Sequence, residues 1–263
     1  MSAQEMSFWD HLEELRRSLF RILIAMVIFA VAGFIFMPYI FDHVIMAPSK
    51  GDFALYQWLC GLSRHCSFLP DFCADTFSVK MINIDLTAQF FRYISTSFYI
   101  ALILTCPYIL YETWRFVSPA LNETDKKKAR RVFVFGAIMF FIGCIAGYYL
   151  IFPMTLRFLY TFTLSEVIEN QVSLNSYMEN FVLLILMMGL VFELPLISWL
   201  LSQLGILRKS FFRKYRRHAI GVLVIVAAII TPTGDPFTLS LVFLPLYGLY
   251  EMSILFVKAD AAT

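Results

Sequence analysis

The sequence predicts an all-α polytopic membrane protein with six transmembrane helices, and three observations carry that prediction. Hydrophobic residues make up 60% of the 263-residue chain and charged residues only 15%, whereas soluble domains carry about 25% charged residues. The apolar residues, 28 phenylalanines among them, gather into runs of about 15 to 20, close to the helical length that crosses a hydrocarbon core. The runs are continuous and do not alternate polar with apolar at every second position, which excludes a transmembrane β-barrel. The net charge of +2 gives no bulk electrostatic case for binding nucleic acid. There is no internal repeat and no low-complexity tract.

The predicted spans are residues 19–41, 90–111, 132–150, 177–200, 219–231 and 238–255. Basic residues precede the first, as in a signal peptide, but it is longer than a signal-peptide apolar core. It also lacks a small-residue cleavage site, so it reads as a retained span. The last two spans are expected to be short. The fifth has about 12 apolar residues, roughly 18 Å of helix, and Glu251 interrupts the sixth. Between them TPTGDPF supplies a tight reversal, so they read as a helical hairpin.

Of the 21 basic residues, 16 fall on one side of these spans, which predicts that both termini are cytoplasmic. The chain then reads as one six-span domain over 1–258, with a periplasmic first loop at 39–89 and a short cytoplasmic tail at 259–263. Cys106 and Cys144 lie inside spans and are expected to be small packing residues. Cys60, Cys66 and Cys73 fall in the first outer loop, where the compartment allows one disulfide and leaves one thiol over. The connectivity stays open, and a metal site at His65 and Cys66 is the less favoured reading.

A few polar residues need a reason. In FWDHLEELRRSLF, Ser7 to Asp10 matches a capping box. Phe8, Leu12, Leu15 and Leu19 share one helical face, while Asp10, Glu13, Glu14 and Arg17 share the other. This predicts an N-terminal amphipathic interfacial helix. A Glu13–Arg17 pair, worth a few tenths of a kcal/mol, is the plain explanation, and an acidic docking point at the cytoplasmic surface is the functional one. In LMMGLVFELPLISWL, Glu193 interrupts an apolar span and Pro195 kinks it. An ionised carboxylate at mid-bilayer costs about 2.5–3.5 kcal/mol, so Glu193 reads as a cavity-lining functional acid. Asp235 suits a turn, and Glu251 lies near the interface. The stretch FVSPALNETDKKKARR reads as a mixed-charge cytoplasmic loop, in which Asp125 adds a second acid to the surface that carries Glu14. No HExxH, GxSxG, P-loop or GxGxxG motif occurs, so neither an enzyme nor a cofactor is predicted.

Several separated stretches, in order, resemble the TatC subunit of the twin-arginine protein translocase. They are HLEELRRSL, the APS around Pro48, YETWRFVSPAL, FPMTLRFLY, FELP and TPTGDPF, and the likeness runs from His11 to about Glu251. The resemblance implies a receptor in the bacterial cytoplasmic (inner) membrane that binds twin-arginine signal peptides and supports export of folded proteins by the proton-motive force. Its partners would be TatA-like and TatB-like single-span proteins, the lipid bilayer and further copies of itself. By the same resemblance, Glu14 and Asp125 receive the arginines, flanked by Arg17 and Phe116. Pro48, Glu193 and Asp235 fall at partner or cavity positions. The rival reading is a proton-coupled secondary transporter using Glu193, which an inverted repeat would have supported.

Overall fold

Inside a bilayer no water is available to the backbone, so the apolar runs have to satisfy their hydrogen bonds internally as helices. The computed structural model describes residues 8–63, 77–118, 123–163, 165, 170–203, 205–232 and 234–257. Its helices are α1 (Phe8–Ile40), α2 (Ala54–Ser63), α3 (Ala88–Val117), α4 (Glu123–Ala146), α5 (Phe152–Thr161), α6 (Leu174–Val191), α7 (Leu194–Gln203), α8 (Lys209–Lys214), α9 (Arg216–Ile230) and α10 (Pro236–Phe256). Single π-turns at Phe41–Ile45 and Gly147–Ile151 extend α1 and join α4 to α5. Two short strands, β1 (Met81–Ile82) and β2 (Val172–Ser173), pair in parallel and tie the first outer loop to the connection before α6.

Five stretches among the described residues are long and apolar enough to cross a membrane: Leu12–Ser49, Ala88–Val117, Arg130–Thr161, Leu174–Gln203 and Pro236–Phe256. The fifth expected span, α9, has 15 residues, or about 22 Å of helix, which is shorter than the hydrocarbon core, as expected. The expectation of a short last span is corrected. α10 has 21 residues because Glu251 pairs with Arg216 at 2.6 Å, so its charge is met at the helix end and does not stop the helix. The mixed-charge loop is also corrected in part, since residues 123–131 are already the first turns of α4. α1 runs without a break from the charged stretch into the first span. Its 33 residues extend about 50 Å, well beyond a core of about 30 Å.

The stretch Leu174–Gln203, α6 with α7, is the centre of the bundle: 61% of its apolar span is buried, against 6% for that of Leu12–Ser49. Phe140, Phe152, Tyr177, Met178, Leu184 and Met188 fill the core around it. α4 and α6 run antiparallel at close range, and glycines make that approach possible. A Cβ on Gly143 would sit 2.6 Å from the Met188 carbonyl oxygen, and one on Gly189 would sit 2.7 Å from Cys144 Sγ. Cys106 and Cys144 are buried free thiols in this packing.

A proline inside a span leaves a carbonyl without a donor, and at Pro38 a side chain answers it. Pro38 has no N–H for the Phe34 carbonyl, and Tyr93 Oη donates to that oxygen at 2.7 Å from α3. Beyond Pro38, Tyr148 Oη donates to Val44 O at 2.9 Å, and Tyr177 donates to Ile45 O.

The glycine contact is directly testable. Gly143→Ala should destabilise the purified protein by about 1–3 kcal/mol through overpacking, read as a lower unfolding midpoint in detergent. Gly221→Ala, which meets nothing within 4 Å inside α9, should leave the midpoint unchanged or raise it slightly, since alanine is the better helix former.

Candidate functional site

Helices α1 and α3 run antiparallel, with Gly33 against Ser97 and Tyr93 on Phe34. That register brings Arg21 to Glu112 near the start of α1 and the end of α3. Arg21 Nε lies 2.9 Å from Glu112 Oε1 and Nη2 lies 2.7 Å from Oε2, a bidentate pair of the strong kind. Arg21 Nη2 also donates to Ser18 Oγ at 2.9 Å, and Tyr108 Oη donates to Glu112 Oε1 at 3.0 Å. Glu112 is 1% exposed, so this carboxylate is fully committed inside the protein. Sequence reasoning missed it by ending the second span at Tyr111, one residue short. An acid within that apolar run, with an arginine at the facing depth of α1, is the signal that was available.

The neighbouring acids divide sharply. Glu13 pairs with Arg17 at 2.6 Å on an exposed face, as the i,i+4 spacing predicts, which is worth about 0.3–0.5 kcal/mol. Arg17 is therefore engaged with its own helix. Glu14 is half-buried and makes no ion pair with any described residue. Phe116 lies partly buried in the last turn of α3. Asp125 is the third residue of α4, and its side chain is outside the described residues. Because α1 packs on α3 and α3 on α4, the start of α1, the end of α3 and the start of α4 share one end of the bundle.

Glu193 occupies the break between α6 and α7. Pro195 cannot donate to the Val191 carbonyl, so α6 ends at Val191 and α7 begins at Leu194. The Glu193 side chain is buried, 6% exposed, and neither carboxylate oxygen has a hydrogen-bond partner. Gly136 of α4 provides its space: a Cβ there would lie 2.9 Å from Glu193 Oε2 and 2.7 Å from Leu196 Cδ2.

At the opposite end, Pro48 belongs to a buried 3-10 turn, Ala47–Ser49. Tyr56 Oη lies 3.1 Å from both the Pro48 and Pro153 carbonyl oxygens, bridging the first loop to α5. The Arg157 guanidinium sits 5.3 Å from the Tyr56 ring centre and 5.5 Å from that of Phe77. Burial pushes the Tyr56 hydroxyl well above the usual phenol range, against the opposing pull of Arg157, so it stays a neutral donor. Asp235 is the N-cap of α10, accepting from Thr238 N at 2.7 Å, with Pro236 as the first helical residue. Cys60 is disulfide-bonded, and Cys66 and Cys73 lie outside the described residues. Among the described residues no group of three or more His, Cys, Asp or Glu side chains is arranged to hold a metal ion.

These features define a multi-pass helical membrane protein. It has a cluster of arginines and acids at one end, one enclosed carboxylate within a span, and a rigid cap at the other end. The sequence profile of the family described as "Sec-independent protein translocase protein (TatC)" matches residues 10–245, and the chain belongs to that family. It is 34% identical over 252 residues to the TatC protein of Blattabacterium sp. subsp. Periplaneta americana (strain BPLAN), covering 95% of this chain and 94% of that one. It is 30% identical over 261 residues to TatCy of Bacillus subtilis (strain 168), covering 98% and 91%. Among solved structures it is similar to "Crystal Structure of Twin Arginine Translocase Receptor- TatC in DDM", with a TM-score of 0.75 and 26% identity, covering 94% of this chain and 99% of the other. The chain is thus a membrane subunit of a protein translocase and not a member of a known enzyme family. The small-solute transporter reading is not favoured.

Two expectations follow. Arg21→Ala leaves Glu112 charged and buried without its partner, and should lower the unfolding midpoint by several degrees, while the double variant Arg21→Met/Glu112→Leu should recover most of the loss. Tyr56→Phe removes the donor shared by two buried carbonyls and should cost about 1–3 kcal/mol, measured by denaturation in detergent.

Proposed function

We propose that this chain is the signal-peptide receptor of a twin-arginine translocase in the bacterial inner membrane. In this reading it binds the paired arginines at its cytoplasmic face and supports export of folded proteins driven by the proton-motive force. One observation carries the reading: of the acids gathered where α1 meets α3, Glu13 and Glu112 are each paired with an internal arginine, while Glu14 is not. A half-buried, unneutralised carboxylate is an acceptor for an incoming cation. Arginine presents a planar fork that a carboxylate takes bidentately, and lysine presents a point charge. Asp125, at the start of α4, is the second receptor in this reading, and Phe116 flanks both.

Glu193 has a different part. In this reading Glu193 marks the face on which a TatA-like or TatB-like helix packs, and its enclosed, unpartnered carboxylate is costly in the bilayer unless a polar group reaches it. Further copies of the chain join the same assembly.

The test is binding of a fluorescent twin-arginine peptide to the purified chain in nanodiscs. Each of Glu14→Ala and Asp125→Ala should weaken binding roughly 10- to 100-fold, as expected for loss of one charged hydrogen-bonded contact. A twin-lysine peptide should bind the wild type weakly and respond little to either change. Equal binding of both peptides, indifferent to both substitutions, overturns the assignment.

A further inference from the structure

A groove lies at the same end of the bundle as Arg21 and Glu112, and the receptor reading above does not use it. It has a volume of about 400 Å³ and opens between α3 and α4, lined by Pro107, Tyr111 and Trp114 on one side and by Arg130, Val134 and Phe141 among others on the other. Its walls are apolar and aromatic except at the end that carries Trp114 and Arg130. Two groups there lack partners. Trp114 Nε1 is enclosed and its N–H has no acceptor, although a buried indole N–H ordinarily finds one. Arg130 is exposed and forms no ion pair with any described carboxylate.

We infer that this groove seats one acidic phospholipid of the cytoplasmic leaflet, with its phosphate at Arg130 and one acyl chain along Val134, Ile138 and Phe141. The dimensions fit. From Arg130 to Phe141 is 11 residues of α4, about 16 Å of helix, and half of a core of about 30 Å is one leaflet. The antiparallel partner matches: Trp114 lies near the end of α3 and Pro107 lies about 10 Å deeper. The polar atoms therefore stand at headgroup and ester depth, and the apolar walls stand at chain depth. Trp114 Nε1 donates to an ester or phosphate oxygen. Arg130 and its neighbour Arg131 are both exposed, so the mouth attracts negative charge, as basic pockets between spans on the cytoplasmic side do for acidic headgroups. The same charge argues against a twin-arginine peptide in this groove, since its arginines would meet Arg130 and its neighbours as like charges. The inference rests on the groove and its mouth, and it holds whether or not Glu14 and Asp125 receive the arginines.

The test uses the full-length chain in nanodiscs containing phosphatidylglycerol or phosphatidylcholine with brominated acyl chains. The emission of Trp114 is taken as the difference between the wild type and Trp114→Phe. Half-quenching of that emission should need about fivefold less brominated phosphatidylglycerol than brominated phosphatidylcholine, the size of preference one basic residue gives near an anionic lipid. Arg130→Gln should abolish the difference. Native mass spectrometry of the wild type and Arg130→Gln in mixed lipid gives a second readout, with retained phosphatidylglycerol expected only in the wild type. Equal quenching by the two lipids, or a preference unchanged in Arg130→Gln, overturns the proposal. Equal quenching that a twin-arginine peptide relieves overturns it in favour of a peptide groove.

Discussion

The structure depends on one constraint: in the hydrocarbon, every backbone amide and carbonyl has to find its partner within the protein. Regular helices meet it almost everywhere, and the exceptions shape the molecule. Pro38 frees the Phe34 carbonyl, and Tyr93 of α3 takes it up. The π-turn after α1 ends in carbonyls that Tyr148 reaches from the π-turn between α4 and α5, and Tyr177 from α6. Tyr56 holds the Pro48 and Pro153 carbonyls together. The hydroxyls that repair the breaks are therefore also what tie the helices to one another at the end that carries Pro48. Pro48 matters here as part of that tie, through its own carbonyl and through the turn it fixes.

The two ends are built on different physics. The end that carries Pro48 and Pro153 is aromatic and hydrogen-bonded, with Arg157 against the rings of Tyr56 and Phe77 and a strand pair joining two connections. The other end is electrostatic. Arg21 with Glu112 joins helices 91 positions apart, and Arg216 with Glu251 closes the α9–α10 hairpin across 35 positions. Such pairs specify geometry more than they add net stability, because desolvation offsets much of the attraction. Here they fix α1 on α3 and α9 on α10, and so fix the scaffold on which Glu14 and the start of α4 are carried. An acid that is already neutralised by an internal arginine has little to offer a cationic ligand, and this is what separates Glu14 from Glu13 and Glu112.

Between the ends, close packing takes over. Gly143 and Gly189 let α4 and α6 approach until side-chain and backbone atoms touch. Gly136, lower on the same helix, leaves room for a carboxylate. Glu193 is thus not an acid stranded by accident in an apolar run. The break at Pro195 turns it toward α4, and a missing Cβ gives it space.

Much of this was legible in the sequence. The apolar runs determined the helical membrane class, because only helices or closed barrels cross a bilayer and the periodicity excluded barrels. The spacing of Glu13 and Arg17 determined their pair, and Pro195 after Glu193 determined the interruption of α6, because both are local geometry. The tertiary structure alone decided what depended on partners distant in the chain. It matched Glu112 with Arg21 across 91 positions and let α10 run on past Glu251 by supplying Arg216. It also gave the Phe34 carbonyl a tyrosine from another helix and opened the groove beside Trp114. A sequence records which groups carry charge or lack a donor, but which of them meet is set by helix register and depth. Those are fixed only when the helices pack.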